Sequence, residues 1–172
     1  MARRIELQRA TAKHYDFALQ LYLQTLGPYL RELIVWDEAE QRAAFAAQWK
    51  REEVKIISVD GKDAGWLQVA ELPTEIRLQK FFVSPPWQRS GIGSEVLGSL
   101  LATWRPTEKK IVLRVLKNNP ARQFYERLGF SVIAEAGAVY RMRRSTHPAS
   151  ARNVLESLYR GPKKPHPGST SR

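Results

Sequence analysis

The hydrophobic pattern of the chain changes period several times. Arg4 to Gln8 reads as a short first strand. From Ala12 to Leu26 the apolar positions Tyr15, Ala18, Leu19 and Tyr22 recur at helical spacing, and Gly27-Pro28 is expected to end that helix. A second helix is predicted from Asp37 to Lys50, with Asp37 as N-cap, acids in the first turn and Ala44, Phe45 and Trp49 facing inward. The pattern then turns to strands. Val54 to Val59 is an apolar run, Asp60-Gly61 is a hairpin signal, and Gly65 to Glu71 continues as the partner. Pro73-Thr74 leads into a third strand, Glu75 to Val83, so three strands on short turns predict an antiparallel meander.

A helix follows from about Gly91 to Trp104, with Ile92, Val96, Leu97, Leu100, Leu101 and Trp104 as its buried stripe. Ile111 to Leu116 is almost wholly apolar, as a strand buried on both faces would be, and the intervening helix makes it parallel to the strand before the loop. Asn119-Pro120 opens a last helix, Gly129 closes it, and Phe130 to Ala134 with Ala138 to Met142 form a closing strand pair. The expected class is α+β: a mixed, mostly antiparallel central sheet with helices on both faces.

Composition narrows the chemistry. There is no cysteine, which removes disulfides, thiolate zinc sites and a cysteine nucleophile together. Of three histidines, His147 and His166 lie in a polar tail, leaving little material for a histidine metal site or a Ser-His-Asp triad, and no metal is expected. No apolar stretch is long enough for a signal peptide or a membrane span, so the expected location is cytoplasmic. The net charge is +11, of which five basic residues against one acid place +4 beyond residue 144. Residues 1–144 are expected to form one domain and residues 145–172 a basic Pro/Ser-rich tail, largely mobile, in which Asn153 to Tyr159 is a candidate short helix. The basicity leaves open an anionic ligand, an acidic substrate, or RNA and ribosomes.

The candidate chemistry starts at Gln88-Arg89-Ser90-Gly91-Ile92-Gly93, set between a strand and a helix. Glycines there let the backbone turn tightly and approach an anion, and the first amides of the helix are unpaired donors backed by the helix dipole. The loop lacks the Gly-Lys-Ser/Thr of a P-loop and the third glycine of a dinucleotide fold.

Two segments together resemble the GNAT superfamily of N-acetyltransferases. Phe81 to Ser94 looks like that family's acyl-CoA loop, and Asn118 to Phe130, with Asn-x-x-Ala-x-x-x-Tyr followed by Gly-Phe, looks like its second signature. The resemblance covers Arg3 to Arg144 and implies an acetyl-CoA-dependent N-acetyltransferase, a cytoplasmic monomer or homodimer. It implies coenzyme A held by the loop amides of Arg89, Ser90, Gly91, Ile92, Gly93 and Ser94, with Gln88 beside them. Phe82 and Val83 would bond the pantetheine arm through their backbone, where the fourth and fifth strands splay, and Asn118 would touch the same arm. Tyr125 matches the family's general acid, against a plain reading as a core aromatic.

Many relatives use a glutamate in the fourth strand as base. Arg77 stands at that site here and cannot serve, which leaves Glu71, Glu75 and Glu32 as candidates beside a water-mediated route. Residues 26–36, with Tyr29, Leu30, Leu33 and Trp36, are expected to build part of the acceptor pocket. The acceptor is a small-molecule or peptide amine of unread identity, attacked directly in a ternary complex. The competing reading is a basic RNA- or ribosome-binding module without turnover, against which no stretch interleaves aromatic and basic residues.

Overall fold

The structure, a computed structural model, describes residues 3–145; the predicted tail, with its candidate helix, lies outside them. Seven strands form one sheet: β1 (Ile5–Arg9), β2 (Val54–Val59), β3 (Lys62–Glu71), β4 (Glu75–Val83), β5 (Lys110–Leu116), β6 (Ser131–Ala136) and β7 (Val139–Arg144). Their order is β1-β2-β3-β4-β5-β7-β6. Only the β4–β5 pair is parallel, as the helix between them requires. Four helices cover it: α1 (Tyr15–Arg31), α2 (Glu38–Gln48), α3 (Ile92–Trp104) and α4 (Ala121–Arg127). The predicted class and the meander are borne out.

Two cores lie on opposite faces. On one, the six predicted stripe residues of α3 are all buried against Ile76, Leu78, Ile111, Leu113 and Met142, with Tyr125 and Phe130 beside them. On the other, Ala18, Leu19 and Tyr22 of α1 and Phe45 of α2 pack on Ile56, Trp66 and Phe82. The second core is aromatic: Phe45 meets Trp66 edge-on at 5.8 Å, and Tyr22 meets Phe82 edge-on at 6.1 Å. Burying a side chain such as Phe82 contributes on the order of 2 kcal/mol.

A bulge decides which β4 residues face which core. Gln68 pairs with Lys80 but Val69 pairs with Leu78, so Gln79 is the extra residue. Ile76 and Leu78 join the α3 core, whereas beyond the bulge Phe81 and Val83 take that face and Phe82 turns to α1. One inserted residue thus reverses the alternation of everything after it. Asp37 caps α2 through Oδ1, which accepts from the Ala39 and Glu40 amides.

The first helix departs from its predicted end. It continues through Gly27-Pro28 to Arg31. A proline inside a helix sacrifices one hydrogen bond, here that to the Gln24 carbonyl, but does not forbid the helix. The Trp36 ring lies on Gly27, 3.2 Å from where a Cβ would stand, and Arg31 sits over the same ring at 4.4 Å. Packing of the return segment on the bare glycine holds the last turn in place.

Candidate active site

The β4–β5 ladder runs from Glu75↔Lys110 to Leu78↔Leu113 and stops. Beyond it, Gln79 to Val83 have no partner on the β5 side, and a cleft of about 1650 Å³ opens between the two strands. It reaches from the loop before α3, through the splay, to the end of α1.

Gly91 is the N-cap of α3 at φ +83, a conformation that a side chain would strain, and no side chain caps the helix. The loop is fastened from outside the cleft. Arg3 Nη2 donates to the Ser90 carbonyl and lies 3.8 Å from Glu95, while Ser90 Oγ donates to the Trp87 carbonyl. Gln88 Nε2 donates to the Val83 carbonyl at 2.8 Å, tying the loop to the end of β4. Nothing in the motif pointed to Arg3, because its sequence distance from the loop hides the contact.

Of the residues expected to hold coenzyme A, Phe82, Val83, Gln88, Arg89, Gly91, Gly93 and Ser94 line the cleft. Ser90 and Ile92 do not: the Ser90 side chain is engaged with Trp87, and the Ile92 side chain is fully buried under α3. Asn118 also lies outside, on a smaller neighbouring recess. Its Nδ2 donates to the Tyr29 carbonyl at 3.0 Å and to Glu32 at 2.8 Å, tying the end of β5 to the end of α1, and its buried Oδ1 has no partner among the described residues. Asn119 instead lines the cleft, and its Oδ1 accepts from the Ala121 amide, the capping role expected of it.

Tyr125 lines the cleft and is buried, edge-on to Phe130 at 5.8 Å and to Phe124 at 5.3 Å. The two aromatics of α4 divide their work, since Phe124 stacks on Phe81 and Tyr125 turns to Phe130. No hydrogen bond engages the Tyr125 hydroxyl among the described residues. Burial alone pushes its phenol well above the ordinary tyrosine value.

The acidic candidates fare differently. Among the described residues no carboxylate lines the cleft, so Glu71, Glu75 and Glu32 all stand outside it. Glu75 is held in ion pairs with Arg77 and, at 4.0 Å, Arg141. Among the expected acceptor residues, Tyr29 lines the cleft. Trp36 is spent on packing Gly27, and Leu33 is 39% exposed; the extended α1 carries these positions past the cleft. Sequence reading passed over Lys80 and Arg114, both of which line it.

Residues 35–132 match the family described as the acetyltransferase (GNAT) domain. The match spans more than half of the chain, and the chain belongs to the GNAT acetyltransferase family. Solved structures share the fold. The PaiA N-acetyltransferase of Thermoplasma acidophilum, in complex with coenzyme A, superposes with a TM-score of 0.67 at 14% identity, over 83% of this chain and 99% of that one. The ribosomal-protein-S18-alanine N-acetyltransferase of Escherichia coli gives 0.62 at 19% identity, over 86% and 97%. The N-acetylglutamate synthase of Neisseria gonorrhoeae, complexed with coenzyme A and N-acetyl-glutamate, gives 0.62 at 13% identity, over 84% of this chain but 36% of its own. No curated protein sequence matches the chain significantly. No helix among the described residues is long and apolar enough to cross a membrane.

Proposed function

We propose that this protein transfers the acetyl group of acetyl-CoA to an amine bound on the α1 side of the cleft, by direct attack in a ternary complex. Three features in one cleft support the reading most: the unpaired edge of β4, the glycine loop and the unengaged hydroxyl of Tyr125. Acetyl-CoA brings an acetyl thioester already activated for attack by an amine. The residues present fit it. The backbone from Gln79 to Val83 has room for an extended arm to add as a strand. The loop amides of Arg89, Gly91, Gly93 and Ser94 suit a diphosphate, and Arg89 and Arg127 bring full positive charge to the cleft. Asn118 drops out of this set, because its amide nitrogen already holds α1.

Tyr125 acts as the general acid. A tyrosine phenol keeps its proton at neutral pH and, lining the cleft, can give it to a departing thiolate. Backbone amides of β4, that of Val83 among them, would polarise the thioester carbonyl. The acceptor must lose a proton, and among the described residues neither a carboxylate nor a histidine lines the cleft to take it. The cations on the acceptor side supply another route. They disfavour a neighbouring ammonium, so the bound amine becomes neutral more readily and its proton passes to water. With no cysteine in the chain, a thiol-linked acetyl intermediate has no site.

Calorimetry with coenzyme A, followed by release of free thiol from acetyl-CoA against a panel of amines, tests the reading. Binding and amine-dependent release are expected. A protein that binds no coenzyme A overturns it.

A further inference from the structure

We infer that the acceptor amine carries a side-chain carboxylate, held by Lys80 and Arg114 on the α1 side of the cleft. The inference rests on the acetyl-transfer reading above. Among the described residues six cations line the cleft and no carboxylate does. Arg89 and Arg127 belong to its coenzyme side. Arg77, Lys80, Arg114 and Arg141 lie on the other face of the sheet. Lys80 Nζ stands 5.6 Å from the centre of the Tyr22 ring of α1. Arg114 alternates with Leu113 and Val115, which face the α3 core, and it is the cross-strand partner of Arg141. Arg77 and Arg141 share Glu75. Four cations against one carboxylate leave a surplus of three.

Lys80 and Arg114 carry two of those three charges. Neither has a carboxylate partner among the described residues. They repel each other, and burial and the Arg114 guanidinium both hold the Lys80 ammonium below its ordinary value. A lysine taken from water without a counter-ion destabilises the fold unless something else supplies one. Val112, Leu116 and Val139 line the same cleft, Leu116 and Val139 as cross-strand partners, and such an apolar lining suits the short carbon skeleton of an amino acid side chain. An anion placed there would leave its own amine facing the splay, where β4 and β5 part.

Matched acceptors decide the matter. With saturating acetyl-CoA, glutamate is compared with glutamine, and the amidated tripeptide Glu-Ala-Ala with Lys-Ala-Ala. The acidic member of a pair is expected to show kcat/KM at least about tenfold higher, in line with one charge-assisted contact. Preference confined to free glutamate identifies a small amino acid; preference confined to the tripeptide identifies an acidic peptide terminus. Equal or reversed preference overturns the inference while leaving acetyl transfer intact. Glutarate, titrated into the coenzyme A-saturated protein, reads the site without turnover. It is expected to bind, and to bind at least about tenfold more weakly to the Lys80→Met/Arg114→Gln double variant. No glutarate binding overturns the inference, whereas no coenzyme A binding in the same experiment overturns the acetyl-transfer reading itself. Lys80→Met keeps the stem over Tyr22 and removes the charge, so its Tm should equal or exceed that of the wild type. A lower Tm would mean the charge already has a partner within the protein, which also overturns it.

Discussion

The two ends of the cleft are built on opposite principles. The end beneath α3 is made largely of main chain: a glycine at positive φ, uncapped helix amides and a strand edge left unpaired by the splay. The end beneath α1 is made of side chains, with Lys80, Arg77, Arg114 and Arg141 brought in from three strands. Backbone donors recognise a ligand part that is the same in every turnover. Side chains on three strands can be exchanged one at a time, so on the acetyl-transfer reading acceptor choice would reside at the α1 end.

Substitutions can break this contrast or sharpen it. Gly91→Glu should have the largest effect. It forces a side chain into the left-handed region and places a carboxylate at the proposed anion-binding end. Coenzyme A affinity by calorimetry should fall by about two orders of magnitude or more, several kcal/mol in all; unchanged affinity would remove the loop from the site. Tyr125→Phe stands at the junction of the two ends. Turnover should drop about a hundredfold, the usual contribution of a general acid, with coenzyme A affinity nearly unchanged. Wild-type turnover would return Tyr125 to the hydrophobic core.

Gly65→Ala probes how closely β3 and β4 must approach. Its new Cβ would fall 2.2 Å from the Phe82 carbonyl oxygen, so β4 must shift where the splay opens. A loss of about 1–3 kcal/mol in denaturant unfolding is expected, and an unchanged midpoint would show that the strand end yields freely. Asn118→Ala should have the smallest effect. Losing its bonds to the end of α1 should cost about 1 kcal/mol and raise KM for the acceptor, leaving the affinity for coenzyme A alone. A loss of coenzyme A affinity instead would reinstate Asn118 on the pantetheine path.

The same division separates what could be read in the sequence from what could not. The glycine loop and its helix were legible because a turn and an uncapped terminus are local, written in adjacent residues. Tyr125 was singled out only through the resemblance of residues 118–130 to the family's second signature. Lys80 was not, since strict alternation from Leu78 would have placed it on the α3 face. The Gln79 bulge moves it to the α1 face, and a bulge between two polar residues leaves no mark in the hydrophobic pattern. The end of α1 was misread because Gly27-Pro28 is a stop signal only where nothing packs on it, and Trp36 does.

The sequence by itself determined the order of strands and helices, the stripe buried by α3, and the loop that suits a diphosphate. Each follows from periodicity or from the conformational range of neighbouring residues. Only the tertiary structure decided where β4 and β5 part, which residues face the opening, and that four cations meet on one side of it. Those are consequences of register, and register is set between segments far apart in the chain.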